Sequence, residues 1–376
     1  MDRKKIVMVG PVYPYKGGIA HYTGLMYKTL AKKYDTTMVS YKFQYPKFLF
    51  KKEQKDYVDD TFKVEGTNYW LHTANPFNCI KTARRINRLH PDLVIIQWLH
   101  PYFAPCFFIL TKCLKRTKIL FVCHNVFPHE RFPMDKFLTK LTLRQGDRYI
   151  VQSGQDEEDL KSVVKNPVYE RTVHPTYNTY KFGDITREEA RKRLQIREEE
   201  KVILFFGLIR KYKGLQYLLQ AMPQIKAEIE HVKLLVVGEM RDDQIPCQEI
   251  IETCRIQDVV NLHTEYVPDR EVEKYFAASD VVVLPYVSAT QSGIVQIAYG
   301  FEKPVIVTRV GGLPEVVTDQ KTGYVVEPED EKQLAEAVVR YFKEGKEAEF
   351  SRNIKEEAYR FSWDRMAEVV GRLGSR

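Results

Sequence analysis

Residues 281–315, VVVLPYVSATQSGIVQIAYGFEKPVIVTRVGGLPE, carry the pattern that decides the fold. An apolar run ends in a turn of small polar residues, a helix-like stretch follows, and a second apolar run leads to Gly311 and Gly312. Strand, small-residue turn and helix in this order build an anion site, because backbone N–H groups at a helix start point towards a bound phosphate. The segment therefore predicts an α/β fold with a nucleotide as its first expected ligand.

Along the whole chain, apolar runs alternate with longer mixed stretches. In the first half they lie at 5–9, 36–40, 93–97, 119–123 and 149–152, and in the second at 202–206, 233–237, 260–263, 281–284, 304–308 and 323–325. Runs without polar alternation are typical of strands buried on both faces of a parallel sheet. With helical patterns between them, clearest at 215–221 and 269–278, they predict two doubly wound α/β domains.

The length of 376 residues also favours two domains. A charged stretch, 186–201, has apolar residues at helix spacing and is predicted to be a surface helix that opens the second domain. We expect an N-terminal domain at 1–178 and a C-terminal domain at 179–355. The final segment, 356–376, is predicted to be a helix that crosses back to the first domain.

Composition excludes several classes of protein. The six cysteines form no C-x-x-C pair and have no Cys/His ligand spacing, so neither a zinc site nor a disulfide framework is predicted, and a reduced cytoplasmic setting fits best. The first ten residues, MDRKKIVMVG, contain too short an apolar run for a secretory signal. The longest apolar stretch, 98–110, is shorter than the roughly 20 residues that span a bilayer.

The net charge of +8 is unevenly distributed. Residues 1–175 hold 29 Lys and Arg against 16 Asp and Glu, which gives +13, whereas residues 176–376 hold 29 against 34, which gives −5. The basic, aromatic-rich segment 41–55 could contact an anionic membrane surface or nucleic acid, and a solvated face is the equally weighted alternative.

Two loops carry candidate phosphate-binding groups. Gly17 and Gly18 follow the first predicted strand and allow close backbone approach, although a tight turn explains them as well. Arg210 and Lys213 lie between a predicted strand and helix, at the strand end where open α/β sheets bind ligands. A forked guanidinium and a mobile ammonium together suit a diphosphate, and a solvated basic loop is the alternative.

In their joint order, these features resemble the family 4 retaining glycosyltransferases of the GT-B fold. The resemblance covers nearly the whole chain: the Gly-Gly loop, then FVCHNVFPHE, GLIRKYKG, VVGE, NLHTEYVPDREVEKYFAASDVVVLP, EKPVIVTRVGGLPE and FSWDRMA. It implies two Rossmann-like domains that face a central cleft. It also implies a nucleotide diphosphate sugar as donor and a glycan or lipid-pyrophosphate-linked glycan as acceptor.

The resemblance implies a role for each matching residue. Arg210 and Lys213 would hold the diphosphate, Gly17 and Gly18 would approach it from the other domain, and His124 would contact the donor sugar. The backbone near Tyr266 and Val267 would border the nucleobase, and the backbone N–H groups of Ser292, Gly293 and Ile294 would bind the distal phosphate. The remaining donor-binding positions are Glu239, Thr290 and Gln291. His21, His100 and His129 are weaker candidates for the acceptor side.

The chain departs from the family pattern at two places. Members usually carry two glutamates eight positions apart around the glycine turn, whereas the matching places here hold Thr290 or Ala289, and Ala298 or Ile297. The usual Arg directly after the strand-end glycine is replaced by Leu208. These departures put the recognition of the donor sugar in doubt, and neutral hydrogen bonds from the Thr-Gln-Ser-Gly turn are the expected substitute.

The expected activity is a hexosyl transfer with retention at the anomeric carbon, in the biosynthesis of a polysaccharide. No Asp-x-Asp triplet occurs, so no metal or other cofactor is expected, and no nucleic acid partner. The expected location is the cytoplasm, including the cytoplasmic face of a membrane. A nucleotide-sugar 2-epimerase using Glu239 or Glu315, and a non-catalytic nucleotide-sugar-binding protein, stay open as alternatives.

Overall fold

A computed structural model describes residues 3–46, 53–57, 60, 62–128, 131–177, 180–183, 185–240 and 245–375. The chain forms two compact units. Unit 1 comprises Met1–Val173 and Ser362–Arg376, and unit 2 comprises His174–Phe361. The chain therefore leaves unit 1 once and returns to it near its end.

Unit 1 alternates strands and helices. Their bounds are β1 (Lys5–Val9), α1 (Gly18–Lys33), β2 (Asp35–Phe43), β3 (Asn68–His72), α2 (Pro76–Arg88), β4 (Leu93–Trp98), α3 (Ala104–Cys113), β5 (Lys118–Cys123), α4 (Asp135–Leu143), β6 (Arg148–Val151), α5 (Gly154–Val163) and β7 (Tyr169–Arg171). The described strands pair in parallel in the order β3-β2-β1-β4-β5-β6-β7. The order reverses between β1 and β4, which makes this the switch point of the sheet.

Unit 2 repeats the pattern. Its elements are α6 (Arg187–Arg193), β8 (Lys201–Phe206), α7 (Leu215–Glu228), β9 (Val232–Val237), α8 (Cys247–Thr253), β10 (Val260–His263), α9 (Asp269–Ala278), β11 (Val281–Leu284), α10 (Gly293–Gly300), β12 (Val305–Thr308), α11 (Leu313–Val316), β13 (Gly323–Val326), α12 (Glu331–Lys343) and α13 (Glu347–Glu356). The described strands are again parallel, in the order β10-β9-β8-β11-β12-β13. The switch point lies between β8 and β11.

The predicted pair of doubly wound α/β domains is confirmed. The central strands are apolar and fully buried, as β4 (LVIIQW) and β11 (VVVL) show. Two short edge strands were not predicted, because polar residues flank the apolar ones of β3 (NYWLH), β7 (YER) has only three residues, and both are only partly buried. Their sequences therefore lack the continuous apolar run that identified the central strands.

The last helix, α14 (Trp363–Ser375), packs on the sheet of unit 1. Its apolar side chains, from Met366 to Leu373, are buried in one cluster with Met8 of β1 and Ile95 of β4. The side chain of Arg372 forms an ion pair with Glu170, with a shortest distance of 2.6 Å. No helix among the described residues is both long enough and apolar enough to cross a bilayer.

Helix α6 is shorter than the predicted helix at 186–201, and a buried guanidinium explains where it stops. Arg191 is almost fully buried and donates to the carbonyl oxygens of Glu198 and Glu200, at 2.7 and 3.1 Å. Those carbonyls turn back towards the side chain, so the segment after Arg193 cannot continue as a helix. Both oxygens of Asp280 accept from Arg191 at 3.0 Å, which fixes α6 beside the start of β11.

We expect Asp280→Ala to lower the free energy of unfolding of unit 2 by about 3–5 kcal/mol, because it leaves the buried Arg191 charge without its partner. Trp70, Trp98 and Trp363 all lie in unit 1, so their fluorescence reports that unit, whereas circular dichroism reports both. In a urea titration, the circular dichroism transition should move to lower urea concentration. The transition followed by tryptophan fluorescence should stay in place.

Glu327→Ala is the matched control, because it removes the carboxylate of an ion pair with Arg309 in which both side chains are about half exposed. Such pairs contribute about 0–1 kcal/mol. Equal losses in the Asp280 and Glu327 variants would contradict the assigned role of Asp280.

Candidate functional site

The loops that follow β8 and β11 come together at the switch point of unit 2. Gly207 ends β8 with a φ of +109°, and Gly214 opens α7 with a φ of +66°, backbone conformations that side chains with a Cβ atom rarely adopt. A Cβ atom on Gly214 would lie 1.9 Å from the carbonyl oxygen of Pro285 in the loop after β11. Only glycine therefore permits this contact between the two loops.

Lys213 lies in the turn between these glycines and its side chain points inward. It is 9% exposed, and its Nζ atom lies 5.2 Å from the centre of the Tyr286 ring. The position that a Cβ atom of Gly207 would take is 3.0 Å from this Nζ atom and 3.2 Å from Cδ1 of Ile294, so the ammonium group is near the first turn of α10. Of the two candidate cations, Arg210 and Lys213, it is Lys213 that lies beside the start of α10.

Little in the surroundings of Lys213 offsets the cost of burying its ammonium charge. Burial lowers its pKa, an effect that neighbouring Arg210 reinforces and Tyr212 opposes. Within the described part of the chain, no carboxylate forms an ion pair with Lys213. Burying a charge is costly unless it is paired, so this group favours an anion beside it. Arg210 begins the same turn and is half-buried.

Helix α10 begins at Gly293, with Ser292 as the preceding capping residue. No side chain caps the helix by a hydrogen bond, and its first turn contains no acidic residue. The hydroxyl of Ser292 lies 3.4 Å from that of Tyr286, whose pKa burial raises to about 12. The N–H groups at a helix start carry partial positive charge, so the end of α10 at Ser292, Gly293 and Ile294 favours an anion beside Lys213.

The loop that holds Thr290 and Gln291 is fixed by the second glycine pair. The N–H of Gly312 donates to the carbonyl oxygen of Thr290 at 2.8 Å. Gly311 has a φ of +49°, and a Cβ atom there would lie 1.6 Å from the carbonyl oxygen of Ala289. The glycine pair thus lets the loop after β12 pass against the Thr-Gln-Ser-Gly turn.

The amide of Gln291 is left without partners by this arrangement. Both its oxygen and its nitrogen are buried, and neither forms a hydrogen bond. An unmade hydrogen bond at a buried polar group costs about 1–3 kcal/mol. A ligand that supplies a donor and an acceptor would remove that cost.

A second recess of unit 2 surrounds the residues predicted to border a nucleobase. Tyr266 and Val267 line a cavity of about 370 Å³ after β10, together with Glu265, Lys274 and Tyr275. Glu239 follows β9, and its carbonyl oxygen accepts from the N–H of Ile209 at 2.9 Å. That bond joins the loop after β9 to the loop that carries Arg210.

The predicted residues of unit 1 lie near its own switch point. Gly17, with a φ of +108°, and Gly18 form the start of α1 in the segment after β1. His124 follows β5, is 8% exposed, and its Nε2 atom lies 2.8 Å from Oε1 of Gln97 on β4. With that oxygen as acceptor, His124 carries its proton on Nε2.

Sequence patterns missed the residues that position His124. The edge of Tyr22 contacts its ring at 4.6 Å, and Gln152 donates to the hydroxyl of Tyr22 at 2.7 Å. Gly10 lies against Gln97, since a Cβ atom there would be 2.6 Å from Cγ of Gln97. A polar residue at the end of an apolar run, such as Gln97 or Gln152, is the one signal that could have revealed this cluster.

Among the weaker candidates, His100 accepts from the N–H of Tyr102 through Nδ1, and His21 stacks on Phe62 at 4.0 Å. His129 lies outside the described residues. In the part of the chain that the structure describes, no three His, Cys, Asp or Glu side chains form a group that could hold a metal ion. Metal independence stays a prediction.

The fold, the loops around Lys213 and the recess lined by Tyr266 define an α/β protein suited to an anionic ligand. Comparison with known proteins gives its family. Residues 186–361 match the family described as glycosyl transferases group 1, and residues 16–178 match glycosyltransferase family 4. The chain belongs to the family 4 glycosyltransferases of the GT-B fold. The resemblance seen in the sequence is thereby confirmed.

Among similar proteins, the D-inositol 3-phosphate glycosyltransferase of Mycobacteroides abscessus is 29% identical over 231 residues. The match covers 60% of this chain and 51% of that enzyme, so this chain spans only about half of that relative.

Two solved structures share the fold over nearly the full length. Sucrose-phosphate synthase from Thermosynechococcus elongatus has a TM-score of 0.74 at 20% identity and covers 99% of this chain and 98% of its own. HepE of Anabaena, in complex with UDP-glucose, has a TM-score of 0.74 at 17% identity and covers 99% and 100%. At such identities the likeness shows the fold alone.

We expect Lys213→Met to weaken binding of a nucleoside diphosphate roughly 10- to 150-fold, because hydrogen bonds to charged groups contribute about 1.5–3 kcal/mol. The same variant should raise the free energy of unfolding of the ligand-free protein, since it removes a buried charge. Calorimetric titration with UDP and urea unfolding measure the two effects. Lys211→Met, at an exposed position of the same turn, is the control and should change neither.

Proposed function

We propose that the protein transfers a hexosyl group from a nucleotide diphosphate sugar to a glycan or lipid-linked glycan, with retention and without a metal ion. The observation that carries the proposal is the buried Lys213 ammonium group beside the start of α10, with no carboxylate paired to it among the described residues. Membership of the family 4 glycosyltransferases supports it.

The leaving nucleoside diphosphate gains negative charge in the transition state of such a transfer. Fixed donors aimed at that charge lower the barrier, because they need not reorganise during the reaction. Lys213, Arg210 and the N–H groups of Ser292, Gly293 and Ile294 would supply these donors. A cation pair and a helix start can perform the charge stabilisation that Mg²⁺ provides in other enzymes, which is the reason to expect metal independence.

The nucleobase would lie in the cavity lined by Tyr266 and Val267, which is large enough for a small ligand. The glycosyltransferase fold neighbour HepE is described in complex with UDP-glucose, so uridine is the first base to test. Glu239 would lie at the edge of the donor site, in the loop that the N–H of Ile209 joins to the Arg210 turn.

Donor-sugar recognition would fall to Gln291 and Thr290 in place of the missing glutamate pair. The unpartnered amide of Gln291 offers one donor and one acceptor for sugar hydroxyl groups. Amide hydrogen bonds are weaker than those of a carboxylate. We therefore infer that the chain recognises its sugar through neutral contacts.

Unit 1 would carry the acceptor. His124, held by Gln97 and Tyr22, would contact the donor sugar near the anomeric carbon, and Gly17 and Gly18 would approach the diphosphate. The excess of Lys and Arg in residues 1–175 suits an acceptor at an anionic, cytoplasmic membrane face. Lys47, Lys51 and Lys52 of the basic segment 41–55 lie outside the described residues.

A thermal-shift panel of nucleoside diphosphates and their sugars tests the donor first. A ligand at about 100 times its dissociation constant stabilises the folded state by roughly 2.7 kcal/mol, so the correct base should raise the melting temperature of the protein. Transfer to lipid-linked glycans, with the product anomer determined by NMR, then tests the reaction. Full activity in excess EDTA is expected.

Two results would contradict the proposal. Turnover of the sugar nucleotide into an epimer without acceptor would indicate the epimerase. Binding without transfer or hydrolysis across the whole donor panel would indicate a non-catalytic protein.

We expect Gln291→Leu to separate stability from sugar binding. Removing the buried amide should raise the free energy of unfolding of the ligand-free protein by about 1–3 kcal/mol. Affinity for the nucleotide sugar should fall, whereas affinity for the nucleoside diphosphate alone should stay unchanged, because the amide contacts only the sugar. Calorimetric titrations with both ligands give the comparison, and equal affinities of wild type and variant for the sugar nucleotide would rule out the role.

A further inference from the structure

Unit 1 contains a cavity that the donor chemistry does not use. It has a volume of about 520 Å³ and lies among α2, α3 and α4. Its lining is mostly apolar and includes Ala74, Pro105, Ile109, Phe132 and Leu138. The volume is within the range of small-molecule sites.

The polar groups of the lining are already satisfied inside the protein. The hydroxyl of Thr73 donates to the carbonyl oxygen of Gln44 at 2.6 Å and lies 3.1 Å from the hydroxyl of Tyr102. The thiol of Cys79 donates a hydrogen bond to the sulfur of Cys106, with the two sulfur atoms 3.1 Å apart. The wall therefore offers a ligand few hydrogen bonds and a large apolar contact.

Among the residues that the structure describes, the lining contains no Asp, Glu, Lys or Arg side chain. His100 accepts from the backbone of Tyr102 and stacks on Phe132 with ring centres 5.5 Å apart. Burial lowers the pKa of His100 more than the nearby Asp135 raises it, which favours the neutral imidazole. The carboxylate of Asp135 is itself bound by Arg131. The wall of the cavity is therefore built mainly from uncharged groups.

Three large apolar side chains close in sequence to lining residues are exposed. Phe77, which follows the lining residue Pro76 on α2, is 83% exposed. Met134 and Phe137, four residues and one residue before the lining residue Leu138, are 65% and 58% exposed. Exposed apolar side chains of this size are frequent where a protein contacts an apolar partner.

The three helices around the cavity also carry a strong positive charge. Their cations are Lys81, Arg84, Arg85 and Arg88 on α2, Lys112 on α3, and Lys136 and Lys140 on α4. Asp135, which Arg131 neutralises, is the acidic residue on these three helices. An occupant with an apolar chain and an anionic head is complementary to this combination.

We propose that this cavity binds the hydrocarbon chain of an anionic, lipid-linked acceptor. The inference rests on the proposed function for the role of that lipid, and it deepens it by naming the acceptor class. The chain would fill the recess walled by Ile109, Phe132 and Leu138, and the cations of α2 and α4 would attract the phosphate head. A chain held in this way would position the acceptor on unit 1 before any donor binds.

The binding test uses butyl, hexyl and octyl glucosides below their micelle concentrations, titrated calorimetrically into the full-length protein without nucleotide. Affinity should rise roughly fourfold for each added methylene, as expected for burial of a hydrocarbon chain. Ala74→Trp, at an exposed position of the lining, and Ile109→Asp, in the apolar wall, should abolish the dependence on chain length. Val168→Trp, at an exposed position outside the cavity, should retain it.

A second experiment measures glycosyl transfer to the same glucosides as acceptors. KM should fall with chain length in wild type and in Val168→Trp but not in the two cavity variants, with kcat unchanged throughout. A KM independent of chain length, together with liposome binding lost in the variants, would assign the cavity to a bilayer lipid and overturn the acceptor role.

Different experimental results would overturn the lipid-binding inference and the proposed donor site. A thermal shift with UDP but chain-length-independent binding, or binding that persists in both cavity variants, would overturn the inference alone. Chain-length-dependent binding without any shift from a nucleoside diphosphate would overturn the donor assignment alone.

Discussion

The contact between the loops after β8 and β11 is the constraint on which the site depends. It exists because Gly214 has no side chain to meet the carbonyl oxygen of Pro285. The close approach turns Lys213 inward, against Tyr286 and the first turn of α10. A cation kept from water in this way has a strong preference for an anion. The protein thus holds the Lys213 ammonium group beside the start of α10 without a ligand, and the burial of this charge lowers its stability.

The fold was readable from the sequence wherever burial was complete. Strands such as β4 and β11 are buried on both faces, so their apolar runs have no polar interruption and their bounds were predicted to within a residue or two. The edge strands β3 and β7 were not predicted, because most of their residues are only partly buried or exposed. The end of α6 could not be predicted for another reason. The buried side chain of Arg191 binds backbone carbonyl groups that follow the helix, and no helical pattern in the sequence indicates that contact.

The candidate site was predictable to a different degree. Glycines and cations at strand ends, such as Gly17 and Lys213, can be recognised by residue type and position along the chain. Tyr286, Gln97 and the unpartnered amide of Gln291 could not be recognised, because their roles arise from neighbours far apart in sequence. The sequence assigns no role to the second glycine pair, Gly311 and Gly312, and the structure shows it supporting the Thr-Gln-Ser-Gly turn.

Helix α14 has a consequence for how the protein is made. It supplies Met366 and Leu373 to the core of unit 1, yet it follows all of unit 2 in the chain. The sheet of unit 1 is synthesised first, and the part of its apolar face that α14 covers stays open while unit 2 is translated. At roughly 5–20 residues per second that interval is about 10–40 s. During biosynthesis, unit 1 is therefore exposed to chaperones and to aggregation for longer than unit 2.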